Sequence, residues 1–195
     1  MSQWWSRILA RTTILGWVLG CTLAGSTAGA AEEPALAGHW QLSPDRSDSV
    51  DRATRRALRD VRRVLQPRGN APQPPSGSAA DRAEQVLAPL SPPTRRVSIE
   101  LDDVEAIFVI DDHPARRHYT DGRGAVIDSN RPQQSIAAWE SGRLYVEQTF
   151  DGGTRIIEAW SLEGGHLRAD YEARNSLFSE PVRFTLRFTR SGAQP

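Results

Sequence analysis

Between Val97 and Arg190 the sequence changes character at every second residue. Val97, Ile99 and Leu101 alternate with Ser98 and Glu100. Val104, Ala106, Phe108 and Ile110 then alternate with Glu105, Ile107 and Val109. A side-chain period of two belongs to a β-strand with one face buried. Segments of the same kind recur at 116–120, 135–140, 144–150, 154–162, 166–173 and 182–190. Turn signals separate them: Asp121-Gly122, Ser141-Gly142, Asp151-Gly152-Gly153 and Gly164-Gly165. Connections this short join antiparallel neighbours, because a parallel pair needs a long crossover. The expected fold is mainly β, an antiparallel meander of about eight strands. That number closes a small barrel or leaves a strongly curved sheet.

Turn length also fixes register. A two-residue Ser141-Gly142 loop pairs Trp139 with Leu144 and Ala137 with Val146. A three-residue Asp151-Gly152-Gly153 loop, with Gly153 at positive φ, pairs Phe150 with Thr154. It sets Val146 opposite Glu158 and Leu144 opposite Trp160. A two-residue Gly164-Gly165 loop pairs Trp160 with Ala169 and Glu158 with Tyr171. The three registers agree, since each keeps the apolar side chains on one face. They predict the rows Trp139–Leu144–Trp160–Ala169 and Ala137–Val146–Glu158–Tyr171.

Upstream, residues 38–42 alternate and read as a first strand, which Pro44 ends. Ser47-Asp48 offers a helix N-cap, and Val50, Ala53, Ala57, Leu58, Val61, Val64 and Leu65 then form one apolar stripe at helical spacing. Arg52, Arg56, Arg59 and Arg63 fall on another face. A basic amphipathic helix of this kind can rest on an anionic membrane or dock on its own domain with a solvated Arg face. The second reading is preferred, because all 24 basic residues of the chain are Arg and Arg is its only basic choice. Residues 67–80 contain no large apolar side chain and are rich in Pro, Gly and Ser, the composition of a disordered linker. The β domain thus comprises 31–66, with the first strand and helix, and 81–190, with a short helix beginning at Asp81. Residues 191–195 form a tail.

Residues 1–30 read as a secretory signal. Arg7 and Arg11 precede an uncharged run from Thr12 to Gly25, and Ala28-Gly29-Ala30 supplies small residues for cleavage after Ala30. The run is too short for a membrane span. The alternative is Val18-Leu19-Gly20-Cys21, a lipobox-like sequence in which Cys21 is lipidated. The expected location is the periplasm or the exterior, or the outer membrane as a lipoprotein through Cys21. Cleavage after Ala30 removes two Arg and no acids, leaving a formal charge of −2. Such a balance gives no reason to expect a nucleic-acid partner. The absence of Lys excludes Schiff-base and phosphate-loop lysines. With Cys21 removed there is no disulfide, thiol nucleophile or Cys-ligated metal.

Several motifs resemble those of a group of exported bacterial β-rich proteins with no assigned activity. These are Gly38-His39-Trp40-Gln41-Leu42, Tyr119-Thr120-Asp121-Gly122-Arg123, Trp139-Glu140-Ser141-Gly142-Arg143-Leu144 and Asp151-Gly152-Gly153. The group usually ends in an Arg-Val-Tyr run, where this chain has Arg187-Phe188-Thr189-Arg190. Gly-x-Trp on a first strand also resembles the lipocalins. There the Trp packs at the closed end of the barrel against an Arg of the last strand. The resemblance implies structural roles for Trp40 and for Arg187 or Arg190, in cation–π contact.

Chemistry is sparse. Asp111, Asp112, His113, His118 and Asp121 have oxygen and imidazole donors suited to a metal. They sit among turns, however, where acids serve local backbone hydrogen bonds, so no metal or other cofactor is expected. No Gly-x-Ser-x-Gly elbow is present. Glu158 stands out on an apolar face between Ile156 and Trp160, where a carboxylate is either wet or partnered. Glu158 and Tyr171, with Gln148, Trp139 and Trp160 around them, are the candidate ligand-binding residues. The expected function is a non-catalytic binding or interaction module for a small apolar or amphipathic ligand or an envelope component. The alternative is a hydrolase or isomerase using Glu158 and Tyr171.

Overall fold

The computed structural model describes residues 35–65, 81, 86–88, 90, 92, 95–126 and 134–192. The expectations for 1–30, including Cys21, and for 67–80 lie outside these residues.

Among the described residues the chain forms ten strands: β1 (Gly38–Leu42), β2 (Arg96–Leu101), β3 (Glu105–Ile110), β4 (Arg116–Tyr119), β5 (Asp121–Val126), β6 (Gln134–Glu140), β7 (Arg143–Thr149), β8 (Arg155–Glu163), β9 (His166–Arg174) and β10 (Val182–Arg190). A single 3-10 turn (Pro44–Arg46) and then the α-helix α1 (Val50–Leu65) follow β1. All ten strands share one antiparallel sheet in the order β4-β3-β2-β1-β10-β9-β8-β7-β6-β5. The sheet curls into a nearly closed barrel. The described part of α1 has no stretch long and apolar enough to cross a membrane, and neither has any other described helix.

The count of about eight strands is corrected to ten, and the reason lies at Asp121-Gly122. These residues are not a hairpin turn. The chain runs from β4 directly into β5, and the two strands form opposite edges of the sheet, with β4 paired to β3 and β5 to β6. Gly122, at φ 84°, lies in an irregularity of the β5–β6 ladder between Asp121 and Gly124. The passage from β4 to β5 is therefore the seam of the barrel.

Elsewhere the registers match those read from the turns. Trp139 pairs with Leu144, Leu144 with Trp160 and Trp160 with Ala169. Ala137 pairs with Val146, Val146 with Glu158 and Glu158 with Tyr171. Ser141 and Gly142 adopt φ 51° and 73°, and Gly164 and Gly165 adopt 58° and 80°. These are left-handed pairs whose twist suits a two-residue hairpin.

The apolar stripe of α1 faces the domain. Ala57 belongs to the barrel's core, and Val50, Ala53 and Leu58 pack against it. Arg52, Arg56, Arg59 and Arg63 are exposed. The N-cap differs from expectation. Ser49 Oγ accepts from the Arg52 amide at 3.3 Å. Asp48 Oδ2 instead accepts from the Thr185 amide at 2.8 Å, and Ser47 Oγ accepts from the Arg187 amide at 2.9 Å. Ser47 and Asp48 therefore clip the approach to α1 onto β10, which has free backbone donors where β1 stops short.

At the other end of β1, Trp40 is 1 % exposed and its Nε1 donates to the Leu36 carbonyl at 2.9 Å. The Arg190 guanidinium lies 4.8 Å from the Trp40 ring centroid and donates to the Ala37 carbonyl at 3.0 Å. Of the two arginines, it is Arg190 that stacks. It pairs directly with Trp40, whereas Arg187 has the opposite parity and meets Glu163 on the outer face at 3.0 Å. Gly38 has φ 138°, and a Cβ there would stand 3.5 Å from the Arg190 guanidinium. The Gly-x-Trp spacing thus supplies the ring for the cation and, at Gly38, a residue free to adopt positive φ. Arg190→Leu should cost about 1–2 kcal/mol in urea unfolding through the lost stacking and hydrogen bonds. Arg187→Leu, which removes a surface pair, should cost about 1 kcal/mol or less.

Candidate functional site

The inner face of the barrel is filled mainly by aromatic and aliphatic side chains. Trp160 is fully buried on β8 and lies 5.1 Å from Phe108, 6.1 Å from Tyr171 and 6.2 Å from Phe188, between ring centroids. Tyr171 stacks on Phe184 at 4.9 Å.

Inside this apolar wall is a polar centre. Glu158 is 3 % exposed and Tyr171 5 %, both facing inward, with Val146 on the other side of Glu158. The Tyr171 hydroxyl makes no hydrogen bond to the carboxylate. Glu158 is held by two other residues. Arg116 of β4 donates through Nη1 to Oε1 at 3.0 Å and through Nη2 to Oε2 at 3.3 Å. Trp160 Nε1 donates to Oε2 at 3.0 Å. The two-pronged match of guanidinium to carboxylate is the strong form of an ion pair. Burial works against the Arg116 charge, but the adjacent Glu158 outweighs it and holds the guanidinium pKa above its ordinary value.

Next along β4 is His118, 1 % exposed. Its Nδ1 and the Ser135 Oγ of β6 are 2.6 Å apart, a hydrogen bond that spans the barrel seam. Its ring meets Phe108 edge-on at 5.7 Å. Burial, reinforced by the Arg116 charge, depresses the His118 pKa to about 3, so the imidazole is neutral at pH 7. Burial and the neighbouring Glu158 push the Tyr171 hydroxyl well above its ordinary value. Three buried polar atoms of this centre have no hydrogen-bond partner among the described residues: Arg116 Nε, His118 Nε2 and the Tyr171 hydroxyl.

Gln148 is buried on β7 at the position facing Ile156, one row from Glu158. Trp139 is only partly buried, at the end of the Trp160 row. The residues of the supposed metal cluster separate. Asp111 Oδ1 accepts the Arg95 and Arg96 amides at 2.9 Å each, and Asp112 pairs with Arg96. Asp121 pairs with Arg123, while His118 goes to Ser135. Among the described residues no three His, Cys, Asp or Glu side chains are grouped as metal ligands.

Composition does not single out Arg116, because Arg is the residue at all 24 Lys or Arg positions of the chain. A signal existed in β3, whose inward set Ala106 and Phe108 pairs with His118 and Arg116. A cavity of about 710 Å³ lies between the start of α1 and the barrel, lined by Leu42, Val50, Leu90 and Leu186 among others. Leu186 pairs with Ala169, in the cross-strand row that contains Trp160.

No family model matches the sequence, and no curated protein is similar to it at a significant level. Solved structures resemble it in fold. A secretory abundant heat soluble protein from Ramazzottius varieornatus matches with a TM-score of 0.52 at 13 % identity, over 81 % of this chain and 96 % of that one. Secretory abundant heat soluble protein 4 from the same organism matches with a TM-score of 0.50 at 8 % identity, over 82 % and 96 %. Fatty-acid-binding protein 1 from Echinococcus granulosus has a TM-score of 0.49 at 13 % identity, over 81 % and 98 %. At these identities the two heat-soluble proteins share the fold with this chain, and the likeness shows nothing about activity.

Proposed function

We propose that the chain is an exported, non-catalytic barrel module that binds a small amphipathic ligand, with the ligand's polar end at the Glu158–Arg116–Tyr171 centre. The observation that carries this reading is the set of unpartnered polar atoms on Arg116, His118 and Tyr171. Burying a polar atom without a partner costs about 1–3 kcal/mol, and three such atoms around one ion pair are an expensive arrangement in a core otherwise built of rings and aliphatic chains. A ligand that bonds them recovers this cost. The cavity beside α1, at about 710 Å³, has the size for a ligand's body, with Leu42, Val50, Leu90 and Leu186 among a lining that also includes Asp48, Asp51, Thr54 and Asp111. Trp160, Trp139 and Gln148 do not line that cavity; in this reading they flank the ligand's polar end.

The alternative acid–base pair has less support. Both carboxylate oxygens of Glu158 already accept charge-assisted or indole hydrogen bonds, so taking a proton from a substrate would compete with the contacts that hold it. A Tyr171 hydroxyl with a raised pKa is a poor proton donor or nucleophile.

Native mass spectrometry of the protein taken from a periplasmic extract tests the proposal. The expected result is a chain beginning at Ala31 that carries a small non-covalent ligand, lost in Tyr171→Phe. A lipid-modified Cys21 would replace simple export by membrane anchoring. Only ligand-free mass from folded protein, before and after incubation with the extract's lipids, would sink the binding reading.

A further inference from the structure

From the charge balance and donor pattern at this centre we infer that the ligand's polar end is uncharged and hydroxyl-bearing, an alcohol rather than a carboxylate or an amine. The inference rests on the binding reading above and goes beyond it by naming the ligand class.

The first argument is electrostatic. Arg116 and Glu158 are matched one to one through two hydrogen bonds, so the centre is neutral overall. His118 is uncharged at pH 7, and Tyr171 likewise. A carboxylate entering next to Arg116 also meets Glu158, and an ammonium entering next to Glu158 also meets Arg116. Either ion sheds its hydration shell inside the barrel without gaining an uncommitted countercharge, a large cost in an apolar interior.

The second argument concerns hydrogen-bond polarity. Arg116 Nε can only donate. The Tyr171 hydroxyl donates and accepts. His118 Nε2 does one or the other, depending on whether Nδ1 accepts from or donates to Ser135. A carboxylate only accepts and an ammonium only donates. A hydroxyl does both, so it can accept from Arg116 while donating to Tyr171 or His118; an ammonium cannot accept from Arg116, while a carboxylate can accept from Arg116 and Tyr171 and is set apart by the charge argument alone.

The test compares 1-decanol, decanoic acid and decylamine at pH 7.5, measured by Trp fluorescence and native mass spectrometry. The native protein should hold the alcohol at least tenfold tighter than either ion. Glu158→Gln leaves Arg116 uncompensated and should move the preference at least tenfold towards the acid. Arg116→Gln leaves Glu158 uncompensated and should move it towards the amine. Folding of each variant is checked by circular dichroism, and either one is sufficient because the shifts have opposite signs. Binding of the acid or amine as tightly as the alcohol by the native protein overturns the inference, as does an unchanged preference in the folded variants. If none of the three compounds binds to folded native protein, the binding reading itself falls for chain lipids, and this inference falls with it.

Discussion

Glu158→Leu is expected to destabilise the barrel by about 3–5 kcal/mol, the usual effect of removing one partner of a buried ion pair. The variant strips Arg116 of both its carboxylate contacts and leaves Trp160 Nε1 without its acceptor. The guanidinium is not free to leave easily. Its side chain is 22 % exposed, its Nε is buried, and its Cζ lies 6.0 Å from the Phe108 ring centroid. Arg116 also belongs to β4, an edge strand with a ladder partner on one side only. Loss of the pair should therefore loosen the seam first. Hydrogen exchange should show β4 amides opening before those of β8 and β9. The double variant Arg116→Met/Glu158→Leu should recover most of the loss, because two apolar side chains replace a desolvated pair at little net cost. Urea unfolding of the two single variants and the double variant gives the coupling directly. Equal, additive losses would show that the pair contributes nothing as a pair.

How much of this centre could be read from sequence depended on which loops fix a register. Ser141-Gly142, Asp151-Gly152-Gly153 and Gly164-Gly165 are short and glycine-bearing, so each admits one alignment of its strands. Their lengths alone give the observed pairing of Glu158 with Val146 and Tyr171, and of Trp160 in the next row. The loop from Asp111 to Ala115 is longer and Pro-containing, and admits several alignments. Arg116 and His118 therefore could not be put opposite Phe108 and Ala106, although both stand there. The partner of Glu158 was hidden for that reason and not because its chemistry is unusual. β5 was hidden differently. Gly122-Arg123-Gly124 shows no alternation, since glycine contributes no side chain to either face, and an Asp-Gly pair looks the same in a bulge as in a hairpin. The abundance of Arg concealed the remaining distinction. Arg143, Arg168 and Arg187 make ion pairs with Asp170 and Glu163 on the outside, while Arg116 has the same composition and the opposite parity.

Acid should weaken the fold well before the carboxylates titrate, and His118 is the expected cause. Its folded pKa is depressed to about 3 from an ordinary value of 6.5, by burial first and then by the Arg116 charge. Between those limits the unfolded chain binds a proton at this residue and the folded chain does not, so stability falls as pH falls. The slope approaches about 1.4 kcal/mol per pH unit once the unfolded imidazole is protonated. The paired carboxylates act in the same direction but later. Burial raises Asp170 and Glu172, yet hydrogen bonds from Thr185, Arg168 and Arg143 to the first, and from Arg183 and Arg174 to the second, more than offset it. Their pKa values lie below the ordinary 3.8 and 4.5, so the stability they contribute is lost only as pH drops under that range. The interval from about pH 6.5 to 4.5 is thus the one in which His118 dominates among these groups. Urea midpoints at pH 7.5, 6.0 and 5.0 should fall steadily in the native protein and stay nearly level in His118→Gln, which keeps a hydrogen-bonding group for Ser135 but takes up no proton. Protonation would also place a second cation beside Arg116 and force the imidazole away from the seam. The β4–β6 contact should therefore open in acid ahead of the rest of the barrel. An identical pH slope in His118→Gln would mean that the acid sensitivity comes from elsewhere.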